Sequence, residues 1–358
     1  MYTKLESLRG IAACMVLLFH TEISYFDSAV SIIANSYLFV DLFFILSGFV
    51  MSHAYADKIK NGLHIKTYIA LRLGRIYPLH LFMLLVFVCY TILKVYLHSL
   101  GFGPEQEFDK NNLHSFFSNL FLVHSLGIYD YLTWNTPSWS ISVEFFTYIL
   151  FFFLLKNIDR GSTLIIPFII AISGYSFLFT LLITLEKGTL SIHYDYGFVR
   201  CVSAFYSGVF LYRAKKLVSV QNQYSNLLEI VALVFVVISL SCARLGWIYQ
   251  ALALVSFLVA ISVYSRPDNG ILGQLLHHPV MRYLGVWSYS IYMTHIFILS
   301  IAFVFAEYVL HIDLVKIHGP ASLIVNFLLL VITILVSRFT YIYVEDKYRR
   351  LVKKRIHP

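Results

Sequence analysis

Apolar runs long enough to cross a bilayer return about ten times along these 358 residues, and that recurrence restricts the fold more than any single motif. A helix rises about 1.5 Å per residue, so about 20 apolar residues span a hydrocarbon core of about 30 Å. Lipid offers no partner to backbone N–H and C=O groups, and helices satisfy them internally. The runs predict spans at 8–26, 37–55, 76–97, 139–155, 163–185, 199–213, 227–243, 247–265, 284–309 and 321–341. Hydrophobic residues make up 59% of the chain and charged residues 13%, which excludes an ordinary soluble domain. The expected fold is an all-α integral membrane protein with about ten transmembrane helices. The stretch 116–132 is apolar but interrupted, and reads as an interfacial or re-entrant piece instead of another crossing.

Lysines and arginines orient these spans, because short cytoplasmic loops collect them. With the N-terminus inside, only Lys94, Lys110, Lys187, Arg200, Arg244 and Lys316 face outward, and the other 21 of the 27 face the cytoplasm. Both termini are therefore expected in the cytoplasm. The formal net charge of +8 follows from that topology and argues little for a nucleic-acid partner. Residues 1–346 read as one membrane domain, and the basic tail 347–358 is expected against anionic headgroups. The first apolar run ends in His-Thr-Glu with no small-residue cleavage site, so it is expected to stay in the mature chain. The four cysteines stand singly in apolar runs, without metal-ligand spacing, and no metal is expected.

Polar groups inside the spans are costly in lipid, and each is a functional candidate. Arg9 and His20 are eleven residues apart, so they leave one face of the first helix about 16 Å apart along its axis. Span 2 carries Asp41, Ser47-Gly48 and His53, and the small pair also suits close helix packing. Arg72 and Arg75 sit three apart before Pro78, on one face of a starting helix, where two guanidinium forks suit phosphate oxygens. The stretch NTPSWSISVEFF opens span 4, with Thr136-Pro137 as a helix start, Ser142 one residue past Ile141, and Glu144 one to two turns inside. Ser288, Tyr292 and His295 share a face of span 9, while Glu345 reads as an interfacial charge. The expected gradient runs from arginines at the cytosolic mouth through His20 and His295 to Asp41 and Glu144 in the outer half.

These residues together resemble the membrane-bound acyltransferase family 3, the group of O-antigen, exopolysaccharide and nodulation-factor O-acetylases. LESLRGIAACMVLLFH is similar to its first-helix Arg-to-His motif, and FVDLFFILSGFVMS to its FF-x-x-SGF motif. RLGRIYP resembles its R-x-x-R-x-x-P motif, NTPSWSISVEFF its PxWSLxvE segment with Ile141 in place of Leu, and SYSIYMTH its late Tyr-x-x-His segment. The resemblance covers the chain, without the hydrolase-like domain that many members carry. It implies transfer of an acyl group, usually acetyl, from cytosolic acyl-CoA to a hydroxyl of a cell-surface or lipid-linked saccharide at the plasma (inner) membrane. It gives His20 the catalytic role, and Arg9, Arg72 and Arg75 the acyl-CoA donor.

An imidazole suits that chemistry, as base or as acyl relay, and Glu144 or Asp41 is expected to orient it or stabilise its charged form. Ser47, Ser142, Tyr292 and His295 are the candidate substrate-binding groups. Two other classes use the same polar residues. A proton-coupled transporter needs buried histidines and carboxylates, although no two-half symmetry of the kind found in many carriers is visible. A structural subunit needs polar residues only as helix glue.

Overall fold

A computed structural model describes residues 2–21, 23, 32–101, 108–159, 163–215, 224–268 and 270–356. Among these residues there are thirteen α-helices and no strand. In order they are α1 (Thr3–His20), α2 (Phe39–Lys60), α3 (Ile65–Ser99), α4 (Leu113–Leu120), α5 (Trp139–Leu154), α6 (Ile165–Thr184) and α7 (Gly197–Lys215). Then follow α8 (Ser225–Ser241), α9 (Trp247–Tyr264), α10 (Ile271–Leu276), α11 (Pro279–Tyr308), α12 (Pro320–Thr340) and α13 (Lys347–Ile356). The protein is an all-α integral membrane protein.

Seven segments are long and apolar enough to cross a membrane by length and composition: Ser36–Lys60, Ile65–Ser99, Thr136–Ile158, Ile165–Thr184, Trp247–Tyr264, Pro279–Tyr308 and Pro320–Ile356. The other three expected spans fall on α1, α7 and α8. Each is more charged or shorter: α1 carries Lys4, Glu6 and Arg9, α7 carries Arg200, Arg213 and Lys215, and α8 has 17 residues.

Several boundaries move from those expected. α1 stops at His20, and residues 24–26 of the first expected span, Arg160, Lys216 and the last two residues of the tail lie outside the described residues. RLGR is helix and not loop, because α3 starts at Ile65, runs straight through Pro78 and anchors Tyr68 in a buried aromatic cluster with Tyr55 and Phe152. The basic segment after residue 346 is the helix α13, and Val352 packs on Gly74 of α3, so this end docks on the helical body. Within 116–132 the chain makes α4 and then turns. α4 starts at a reciprocal cap in which Asn112 and Ser115 each accept the other's backbone N–H at 2.9 Å.

Two parallel helix pairs organise the centre, and both pack through glycine. A Cβ on Gly48 of α2 would lie 1.8 Å from the carbonyl oxygen of Phe205, and one on Gly208 of α7 1.9 Å from that of Ile45. In the second pair, a Cβ on Gly10 of α1 would lie 2.5 Å from the backbone of Leu284, and one on Gly285 of α11 2.3 Å from that of Glu6. Association in lipid relies on close backbone approach, which only the smallest residues permit. Outer faces of α6, α8 and α12 expose Ile165, Phe168, Leu227, Ile230, Leu323 and Phe327, as lipid-facing helices do.

Candidate active site

The glycine contacts set the register of α1 against α11. His20 lies ten residues past Gly10, and His295 lies ten residues past Gly285, so parallel packing at the glycines brings both imidazoles to one level. Their ring centroids are 5.0 Å apart. His20 Nδ1 donates to the Val16 carbonyl at 2.8 Å, and His295 Nδ1 to the Tyr292 carbonyl at 2.7 Å. A carbonyl only accepts, so each Nδ1 carries the proton and each lone pair sits on Nε2. His295 is fully buried, and its Nε2 has no partner. A buried acceptor left unsatisfied costs about 1–3 kcal/mol.

This arrangement corrects the expected role of the carboxylates. The Val16 carbonyl orients the His20 ring, and neither Asp41 nor Glu144 holds its Nδ1. Asp41 is fully buried and accepts from Arg200 Nη2 at 2.6 Å and from Arg200 Nε at 3.0 and 3.2 Å. The same guanidinium donates to the carbonyls of Ile192 and Tyr37, each at 3.2 Å. Arg200 is thus no outward topological charge but the buried partner of Asp41. Its guanidinium also lies 5.5 Å from the ring centre of Trp139, and Trp139 meets His193 edge to face at 5.0 Å. His193 lies outside the crossing helices, and burial together with the neighbouring Arg200 cation pushes its imidazole down to about 3, so it stays neutral.

Glu144 sits with the arginines, below the histidines. Its carboxylate accepts from the Tyr148 hydroxyl at 2.6 Å, one helical turn further along α5. The Ser47 hydroxyl lies 2.9 Å from the same phenol, and the Tyr148 carbonyl accepts from Tyr68 at 3.1 Å. Arg9 is within electrostatic reach of Glu144, Tyr148 and Arg75. Arg72 stacks on Tyr55 at 4.6 Å, lies 5.8 Å from the centre of the Tyr148 ring, and donates to the Tyr55 hydroxyl at 2.6 Å and to Met51 Sδ at 3.2 Å. Its Nε–H is buried without a partner. Tyr148 is therefore the hub on which three arginines converge.

Arg72 and Arg75 do not act as one fork. Arg75 turns toward Glu345 of the turn that follows α12, which forms an ion pair with it and accepts from Ser290 at 2.9 Å. Glu345 is 1% exposed, so it is a buried partner and no interfacial charge. The hydroxyls expected to bind substrate are engaged too. Ser142 donates to the Leu122 carbonyl at 2.6 Å and accepts from the Ser125 N–H at 3.3 Å, which holds an outer turn. The Tyr292 hydroxyl accepts from Ser140 at 2.9 Å and donates to the Pro137 carbonyl at 3.2 Å, tying α11 to the start of α5.

Sequence reasoning missed Tyr148, Arg200, His193 and the Arg75–Glu345 pair. Tyr148 had a signal, its i+4 spacing from Glu144. Arg200 had one as well, since it stands alone near the start of an apolar run. His193 lies in an outer loop, and only folding brings it to Trp139.

No group of three or more potential metal ligands occurs among the described residues. No solved structure matches the chain. It is similar to "Protein 2 in picA locus" from Rhizobium radiobacter, 39% identical over 89 residues. That match covers 25% of this chain and 44% of the relative, so the chain spans less than half the length of that curated protein. A family model described as an acyltransferase domain matches residues 2–342 and takes in both histidines, Arg9, Arg72, Arg75 and Glu144. The chain belongs to the acyltransferase-3 family of membrane acyltransferases.

Proposed function

We propose that this protein moves an acyl group, most simply acetyl, from cytosolic acyl-CoA to a hydroxyl of a cell-surface or lipid-linked saccharide at the plasma (inner) membrane. The observation that carries the reading is the vertical arrangement on α1. An imidazole with its lone pair on Nε2 stands eleven residues, about 16 Å, above an arginine in a cluster of three. A CoA phosphate at that cluster would leave an extended pantetheine arm to reach upward, and the arm is of comparable length.

In this reading Arg72 receives the anionic donor through its unpartnered Nε–H, with Arg9 and Arg75 adding positive potential. Glu144 and Tyr148 hold those side chains apart and in place. The acceptor hydroxyl gives its proton to His20 Nε2 as its oxygen bonds to the thioester carbonyl carbon. The C–S bond then breaks, and the proton passes to the leaving CoA thiolate. The Val16 hydrogen bond supports this role, because it keeps the wrong nitrogen from presenting the lone pair.

The experiment is a transfer assay in lipid nanodiscs with radiolabelled acetyl-CoA and surface glycan from cells lacking the protein. Wild type should label the glycan and release CoA. His20→Ala should insert at normal abundance and label nothing; full labelling by that variant would end the assignment. Arg72→Ala should raise the KM for acetyl-CoA, and an unchanged value returns the arginine to a topological role.

A further inference from the structure

The proposed reaction leaves one feature of the site unused, the second imidazole. His295 is entirely buried, its Nδ1 is committed to a backbone carbonyl, and its Nε2 has no donor. A buried ring nitrogen normally has a partner. Here the geometry offers one only transiently. Two imidazoles joined by one N–H···N hydrogen bond have centroids about 5 Å apart, and the His20–His295 separation is 5.0 Å. With both rings neutral, both lone pairs lie on Nε2, and two acceptors cannot bond each other. Once His20 takes a proton, its Nε2–H becomes the donor that His295 lacks.

We infer that His295 is the proton-holding partner of His20, acting through that ring and not on the acyl group. Resting on the acyltransferase reading, the step balances as follows. The acceptor O–H bond breaks, and its proton forms an N–H bond at His20 Nε2. That N–H is shared with His295 Nε2 while the thioester carbonyl is attacked. When the C–S bond breaks, the proton leaves the pair for the CoA sulfur, and both rings return to neutral. A cation at this level in a membrane is stabilised only by dispersal or pairing. Both carboxylates expected for that task are engaged elsewhere, Asp41 by Arg200 and Glu144 by Tyr148. His295 thus takes the place that a carboxylate holds in a hydrolytic triad. Its position follows from the matched ten-residue spacing above Gly10 and Gly285.

The test uses full-length protein in nanodiscs with acetyl-CoA as donor. Ethanol, 2-fluoroethanol and trifluoroethanol serve as acceptors of rising hydroxyl acidity, beside the glycan. His295→Gln keeps polarity and approximate volume but accepts no proton. It should lower kcat about tenfold or more with the KM for acetyl-CoA unchanged, and the loss should shrink as the acceptor hydroxyl becomes more acidic. His295→Ala should regain turnover with added imidazole. Unaltered kcat in His295→Gln, or an equal loss on every acceptor with no imidazole rescue, overturns the proton-holding role alone. Wild-type protein that turns over acetyl-CoA with no hydroxyl acceptor overturns both this role and the reading beneath it.

Discussion

The helix pairs α1–α11 and α2–α7 are built alike and finished differently. Both are parallel, and both close on glycines whose missing Cβ atoms let backbones touch. Above the contact, α2–α7 ends in Asp41 and Arg200, a buried ion pair whose guanidinium is saturated by carboxylate and backbone carbonyls. Above the other contact stand two imidazoles, one with an unmatched buried nitrogen. Charges that satisfy one another fully can only hold the fold together. A lone pair without a donor is poised to receive one, and that difference separates a structural pair from a reactive one.

The comparison can be broken at either pair. The largest effect is expected from Gly208→Leu, because the new side chain meets the Ile45 carbonyl at 1.9 Å, and backbone cannot yield as a side chain does. No folded protein should be recovered by size exclusion in mild detergent. Next comes Arg200→Ala, which strands a buried carboxylate and should cost about 3–5 kcal/mol. Asp41→Leu combined with Arg200→Met should regain much of that stability and keep transfer activity. Loss of kcat in a stable double variant would make the pair part of the chemistry.

His20→Ala should do the reverse, lowering kcat about 10²–10⁴-fold with little change in melting temperature. Ser142→Ala should be milder, about 1–3 kcal/mol, because it leaves the Leu122 carbonyl without its donor. Leu122 itself has φ +59°, so this turn is already strained and should show faster amide exchange in the variant.

The smallest effect concerns the outer-loop pair Lys187–Asp195, with an N···O distance of 2.8 Å. Burial pushes the Asp195 carboxyl up, but hydrogen bonds from Lys187 and the Tyr196 N–H outweigh it and hold the carboxyl below its ordinary value. A carboxyl lowered in the folded state contributes stability that is present above its unfolded value and lost as pH falls through the folded one. Acidification below the ordinary aspartate range should therefore remove this contribution. Solvent exposure keeps it below about 1 kcal/mol, and Asp195→Asn should flatten that part of the melting curve against pH.

Hydropathy made the membrane class and most of the helices legible, since each apolar run of sufficient length has one low-energy form in lipid. The candidate site was legible in part. Arg9, His20, Glu144 and Arg72 stood out because each is an ionisable group where apolar residues are the rule. Their partners did not. Glu345 resembled a surface charge, Arg200 resembled a loop charge, and RLGR read as a loop end, because local sequence carries no record of what packs against it.

By itself the sequence determined that this chain crosses a membrane as helices, which way they run, and that an imidazole and arginines lie on one face of the first. Tertiary structure alone decided that the second imidazole stands 5.0 Å from the first, that Asp41 belongs to Arg200, and that Glu144 belongs to the arginines through Tyr148. The physical reason is one of range. Crossing a membrane is settled within each helix by its own hydrogen bonds and apolar surface, whereas the pairing of charges depends on how closely two backbones approach, and that is set at four glycines far apart in the chain.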